Sequence, residues 1–124
     1  MGDIVKQHHI SLKNALAGIK WAVSTQPNFR VHFLLSALAV GVGFFVRLAP
    51  NEWVLLVFTI FWGMSAEMIN TAIESMCDLI TTEWKKEIKI AKDVAAGMML
   101  TVATGSIFVA LFLLLPKLLI KFFG

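Results

Sequence analysis

The stretch "WVLLVFTIFWGMSAEMINTAIESMCDLI", Trp53–Ile80, decides the fold, because it changes character halfway. Trp53–Ala66 is apolar enough for a bilayer interior, whereas Glu67–Ile80 admits Glu67, Asn70, Glu74 and Asp78. A helix through the whole stretch exceeds the roughly 20 residues of one bilayer crossing. Its second half is therefore expected to emerge at, or lie close to, a membrane surface. The composition agrees: 58% of the 124 residues are hydrophobic and 15% charged, more apolar surface than one small soluble domain hides. The chain reads as an integral membrane protein of a single domain, 1–124.

Outward from this stretch the same logic gives two more spans. Upstream, "RLAPNEW" supplies a turn with Pro50 and Asn51 as breakers, and 31–47 reads as a first span closed by Arg47. The second span is 53–80. Downstream, "TTEWKKEIKI" is a charged connection, and 90–117 reads as a third span with Pro116 near its end. Residues 4–25 never become a span. Ile4, Ile10, Leu12, Leu16, Ile19 and Val23 recur among Lys6, Lys13 and Lys20, the pattern of an amphipathic helix lying at the interface. "TQPN" ends it at Pro27. The fold class expected is thus all-α, with an N-terminal amphipathic surface helix and three transmembrane helices. So thin a bundle is expected to oligomerise.

The formal net charge of +3 reads as juxtamembrane anchors, since no basic patch interleaved with aromatics suggests nucleic acid. Lys6, Lys13, Lys20 and Arg30 precede the first span, and Lys85, Lys86, Lys89 and Lys92 follow the second; only Arg47, Lys117 and Lys121 fall opposite. The positive-inside rule then places the N-terminus and the second connection in the cytoplasm. No cleavable signal peptide is visible. The single Cys77 cannot form an intrachain disulfide and reads as a small apolar filler.

On a helix each residue turns about 100°. With Glu67 at zero, Asn70 falls near roughly −60°, Glu74 near −20° and Asp78 near +20°, an arc of about 80° over three turns. Ionisable groups at membrane depth cost about 3 kcal/mol each and face a bundle interior or water. This stripe is a candidate site, although Glu74 and Asp78 also fit simple pairing with Lys85, Lys89 or Lys92 near the surface. A second cluster, "KIAKDVAAG" at 89–97, puts Lys89 and Lys92 on one face and Asp93 and Gly97 on another, with Ala95–Gly97 permitting close approach. Carboxylates holding a divalent cation, a lysine on phosphate and a carboxylate accepting a hydroxyl proton suit phosphoryl transfer to a lipid alcohol. A small oligomeric ion or proton transporter subunit fits the same residues, and spacing alone does not choose.

"EMINTAIESMCDLI" at 67–80, followed by "KIAKDVAAGMML" at 89–100, resembles the signature of the prokaryotic diacylglycerol kinase and undecaprenol kinase family, small bacterial membrane lipid kinases. "SLKNALAGI" at 11–19 and "NFRVH" at 28–32 extend the resemblance over nearly the whole chain. It implies a homotrimer of three-span protomers in the inner (cytoplasmic) membrane, with shared active sites on the cytoplasmic side and ATP with Mg²⁺ as phosphoryl donor. No Walker-type phosphate loop is expected, and none occurs in the sequence. The resemblance gives Glu67 the role of general base and Glu74 that of metal-binding carboxylate. It makes Asn70, Lys92 and Asp93 the remaining polar site positions, with Glu74, Lys92 and Asp93 toward the nucleotide. Lys13 is the candidate phosphate contact on the N-terminal helix, and Asp78 matches the motif without an assigned role. "INTAIE" and "KIAKDVAAG" look more like the undecaprenol-phosphorylating branch than the diacylglycerol branch.

One position departs from the family pattern. Where a metal-binding glutamate is usual, three residues before the Phe of "NFR", this chain has Gln26. Elsewhere, His8, His9 and His32 read as interfacial polar residues, not metal ligands. Trp21, Trp53 and Trp84 read as interface anchors, Trp62 as a packed internal residue, the methionines as bundle packing, and Gly41 and Gly43 as helix contacts. A neutral amide is a weaker ligand for a hard cation than a carboxylate. Gln26→Glu is therefore expected to lower the Mg²⁺ concentration giving half-maximal kinase turnover; an unchanged Mg²⁺ titration would remove this reading of Gln26.

Overall fold

A computed structural model describes residues 2–124, with side chains from Ser11 onward. Every element among the described residues is an α-helix: α1 (Gly2–Thr25), α2 (Pro27–Val46), α3 (Pro50–Ile80), α4 (Lys86–Leu113) and α5 (Leu115–Phe123). Three stretches, Pro27–Val46, Pro50–Ile80 and Lys86–Phe123, are long and apolar enough to cross a membrane. At 1.5 Å per residue, α3 runs about 46 Å, well beyond a hydrocarbon core of about 30 Å.

Two prolines expected as breakers open helices instead. Pro27 and Pro50 each occupy the first turn, α2 following an extended Gln26 and α3 an extended Ala49. Proline suits that position because its missing N–H would have no intrahelical acceptor there, and its φ is already helical. The helices thus begin at 27 and 50 where the sequence suggested 31 and 53. α4 starts at Lys86, not 90, and helical structure runs beyond Pro116 to Phe123 after a break at Leu114.

The α1–α2 elbow is held by Arg30, whose Nε donates to Val23 O at 2.8 Å and whose Nη2 donates to Ser24 O. A guanidinium here satisfies carbonyls that α1 leaves orphaned at its C-terminus and complements the dipole. From Ser11 to Trp21 every side chain is exposed. His8, His9 and Lys6 lie outside the described side chains.

Helix α2 ends in a Schellman-type cap. Arg47 adopts the left-handed conformation at φ 58°, its N–H reaching Phe44 O, while Leu48 N–H reaches Gly43 O at 3.1 Å. The apolar core lies at this end: Val46, Leu48, Leu56 and Leu114 are buried, with Trp53, Ile60 and Leu118 packed against them. α5 folds back over the turn. Lys117 pairs with Glu52 at 3.0 Å, Glu52 also accepts the Ala49 N–H at 2.6 Å, and Lys121 donates to Phe45 O at 3.0 Å.

α3 and α4 pack along each other through small buried residues, Gly63, Ala66, Cys77, Ala95 and Val102. Most large apolar side chains face outward, including Leu34, Phe61 and Phe112. Trp62, expected to pack internally, belongs with them: it is 58% exposed and stacks only along its own helix on Phe58. In a lipid-facing position an indole loses nothing by staying outside the bundle.

Gly43 is closed in by side chains of the α2–α3 turn. A Cβ there would stand 3.0 Å from both Leu48 Cδ1 and Trp53 Cη2 and 3.4 Å from Leu56 Cδ2, whereas Gly41 faces open space. Gly43→Val is expected to overpack the turn by about 1–3 kcal/mol, read as a lower thermal midpoint in detergent, with Gly41→Val close to wild type. Equal midpoints would refute the close packing.

Candidate active site

Glu67 and Asn70 are polar residues on the part of α3 that α2 and α4 cover, and they are almost fully buried at 3% and 6% exposure. Glu74, one turn further toward the α3 C-terminus, is exposed. All three line a cleft of about 400 Å³, with Asn28, Val31 and His32 from α2 and Ala96, Met99, Leu100 and Ala103 from α4. The helical stripe therefore runs from a buried end at Glu67 to an open end at Glu74. The cleft has room because α4 meets it with Ala96 and Ala103.

Within the cleft Asn70 Nδ2 donates to Glu74 Oε1 at 3.2 Å. This i,i+4 hydrogen bond fixes the amide orientation and leaves Asn70 Oδ1 buried and, among the described residues, without a hydrogen-bond partner. Buried acceptors are normally satisfied, so this oxygen is available to a ligand. Among the described residues no three carboxylate, imidazole or thiol groups form a ready-made metal cage. Mg²⁺ does not require one: it takes one or two carboxylates and completes its shell with water and phosphate oxygens. Glu74 with the orphaned Asn70 Oδ1, beside Glu67, is a hard oxygen donor set that fits that ion.

The other residues singled out in the sequence lie outside the cleft lining. Asp78, at the foot of the stripe, accepts from Lys92 Nζ at 2.6 Å, so the motif aspartate and the candidate phosphate lysine hold each other across α3 and α4. Asp93 accepts from Lys89, one turn before it. The expectation that Lys89 and Asp93 occupy different faces is corrected by that pair: at i,i+4 they are surface neighbours. Lys13 is exposed on α1. Gln26 sits in the extended step between α1 and α2, its Nε2 directed to Thr25 Oγ1 at 3.3 Å.

Two cleft residues escaped the sequence reading, Asn28 and His32. Both lie in the quoted "NFRVH" segment, and i,i+4 spacing on α2 was the available signal. Gly63 accommodates His32: a Cβ at this buried glycine would lie 3.8 Å from the imidazole Nδ1.

Residues 13–114 match the family model described as prokaryotic diacylglycerol kinase. A diacylglycerol kinase of Synechocystis sp. is 37% identical over 111 residues, 89% of this chain and 63% of that protein. An undecaprenol kinase of Bacillus subtilis is 38% identical over 109 residues, 87% of this chain and 88% of that protein. A diacylglycerol kinase of Haemophilus influenzae is 30% identical over 83 residues, 67% of this chain and 70% of that protein.

If Asn70 Oδ1 and Glu74 form a cation site, a third carboxylate should sharpen it. Asn70→Asp is expected to lower the thermal midpoint in chelator, through like-charge repulsion, and to gain more stability from added Mg²⁺ than wild type does. An equal Mg²⁺-dependent shift in both proteins would count against the site.

Proposed function

Because the chain belongs to the prokaryotic diacylglycerol kinase family, we propose that it transfers the γ-phosphoryl group of ATP to the hydroxyl of a membrane lipid. The observation that carries this reading is the buried Glu67 carboxylate, facing a cleft of mixed apolar and polar lining whose other end opens at Glu74. A lipid alcohol approaches from the apolar side and a nucleotide from the open side. The cleft thereby joins two substrates that share no solvent.

Glu67 is the general base in this reading. Its carboxylate takes the proton of the lipid hydroxyl as the oxygen bonds to the γ-phosphorus and the bond to the ADP oxygen breaks. Burial keeps competing water away from the phosphoryl group. Glu74 and Asn70 Oδ1 would hold Mg²⁺, which when bound would supply neutralising charge to the phosphates. Lys92 is the phosphate partner. Since it is paired with Asp78, nucleotide entry exchanges that aspartate for a phosphate oxygen, and both groups stay solvated meanwhile. Asp93 tethers Lys89 beside it. Lys13 on α1 is an outer contact toward the nucleotide, and Gln26 at the elbow stands at the family's metal-binding glutamate position as a weaker, neutral ligand.

The lysine-rich N-terminal side and α3–α4 connection support a cytoplasmic site in the inner membrane, where ATP is available. α1 is read as an amphipathic helix on that surface, its lysines toward headgroups. A homotrimer is supported by the family resemblance. The spans read from the sequence, 31–47, 53–80 and 90–117, form one lipid-kinase domain in this account. For the acceptor we take undecaprenol. The motif resemblance favours it, and the Bacillus undecaprenol kinase matches over 88% of its own length against 63% for the cyanobacterial diacylglycerol kinase.

Purified chain with labelled ATP and Mg²⁺ in mixed micelles is expected to phosphorylate undecaprenol faster than diacylglycerol. Glu67→Gln should fold normally and lose about 10²- to 10⁴-fold in turnover. Preferred labelling of diacylglycerol would reverse the acceptor assignment. Wild-type-like turnover in Glu67→Gln would end the assignment of the base. Labelling of neither lipid, with ion flux in sealed vesicles, would replace the kinase by a transporter.

A further inference from the structure

One ionisable side chain in the cleft is given no part in the transfer just described. His32 enters from α2, opposite the α3 face that carries Glu67, Asn70 and Glu74. Two features of α3 direct the imidazole and Glu67 toward each other. Gly63, one turn before Glu67, presents bare backbone to His32, whose Nδ1 lies 3.8 Å from where a Cβ would stand. Side chains on a helix lean toward its N-terminus, so the Glu67 carboxylate is carried over the turn that contains Gly63.

The other polar side chains near the cleft are paired or exposed. Asn70 donates to Glu74, and α4 faces the cleft with Ala96, Met99, Leu100 and Ala103, none of which has a polar side chain. Asn28 lies one turn from His32 along α2, on its N-terminal side, and is exposed. Arg30 is turned away to the α1 carbonyls. Among the described residues the other ionisable groups lining the cleft with Glu67 are His32 and Glu74. Glu74 can only repel a carboxylate, whereas an imidazole N–H can donate to one.

We propose that His32 is a positioning residue for Glu67: an imidazole N–H donates to one carboxylate oxygen and aims the other at the lipid hydroxyl. The catalytic step remains that of Glu67, and the inference rests on the reading of Glu67 as base. A neutral imidazole has one N–H to give and a carboxylate has two oxygens, so one oxygen stays free for the proton. Orientation is where the gain lies, since small misplacements of a reacting group cost up to about 100-fold.

Two measurements on the full chain test this. The first needs no turnover: with nitrogen-labelled histidine in detergent micelles, the His32 imidazole resonances, assigned by their loss in His32→Gln, should move in Glu67→Gln. They should stay in place in Glu83→Gln, on the exposed connection. The second is kinetic. His32→Ala is expected to lower kcat about 10- to 100-fold with the KM for ATP unchanged, and His32→Gln, which keeps an N–H at similar reach, to recover part of the loss. Imidazole resonances indifferent to Glu67→Gln would overturn the pairing, whether or not the protein proves to be a kinase. Unchanged kcat in His32→Ala would overturn the positioning role. A protein that phosphorylates no lipid but shows the resonance shift would keep the pair and refute the functional reading instead.

Discussion

A carboxylate inside an apolar span is the constraint to which the rest of this chain is fitted. Glu67 lies at 3% exposure on a helix whose preceding fourteen residues belong in hydrocarbon. An ionisable group at that depth costs about 3 kcal/mol, and the surrounding helices are arranged to limit it. α2 and α4 cover it from either side, His32 and Asn70 provide polar company, and Gly63 and Ala96 leave space for a cleft in place of packed methyl groups. A closely packed apolar core at this level would leave the carboxylate neither solvent nor partner.

The bundle accordingly divides its tasks by depth. Apolar packing is concentrated at the α2–α3 turn, where Val46, Leu48, Leu56 and Leu114 are buried and Gly43 lets Leu48 and Trp53 close in. α5 secures that end through Glu52–Lys117 and the Lys121 contact with Phe45 O. The opposite end has an open cleft and cross-helix polar pairs such as Lys92–Asp78. Exposed pairs of that kind are individually weak, so they hold the connection without locking it. Rigidity at one end leaves the other free to admit a polar ligand.

The legible parts were those governed by local periodicity. Helical spacing of about 100° per residue gathers Glu67, Asn70 and Glu74 on one face irrespective of what surrounds α3, and hydropathy alone separates three spans. What lay beyond reach depends on contacts between helices. His32 looked like an interfacial polar residue because nothing near it in sequence says that Gly63 lies against its ring. Asp78 fits both the continuation of the stripe and a surface pair with Lys85, Lys89 or Lys92, and the α4 register selects Lys92. Pro27 and Pro50 were read as breakers because the same residue stops one helix and starts the next, and periodicity does not tell these apart. Trp62 was assigned to packing since hydrophobicity marks lipid-facing and core positions alike when the solvent is itself apolar.

Gln26 shows how sequence and geometry combine. The motif sets an amide where its family expects a carboxylate, and the elbow turns that amide to Thr25, away from the cleft lining. A site relying on two protein carboxylates for its cation would be weakened by the change. The unsatisfied Asn70 oxygen is then more than a defect in the hydrogen-bond inventory. It is a neutral acceptor placed where a third carboxylate would repel Glu67 and Glu74.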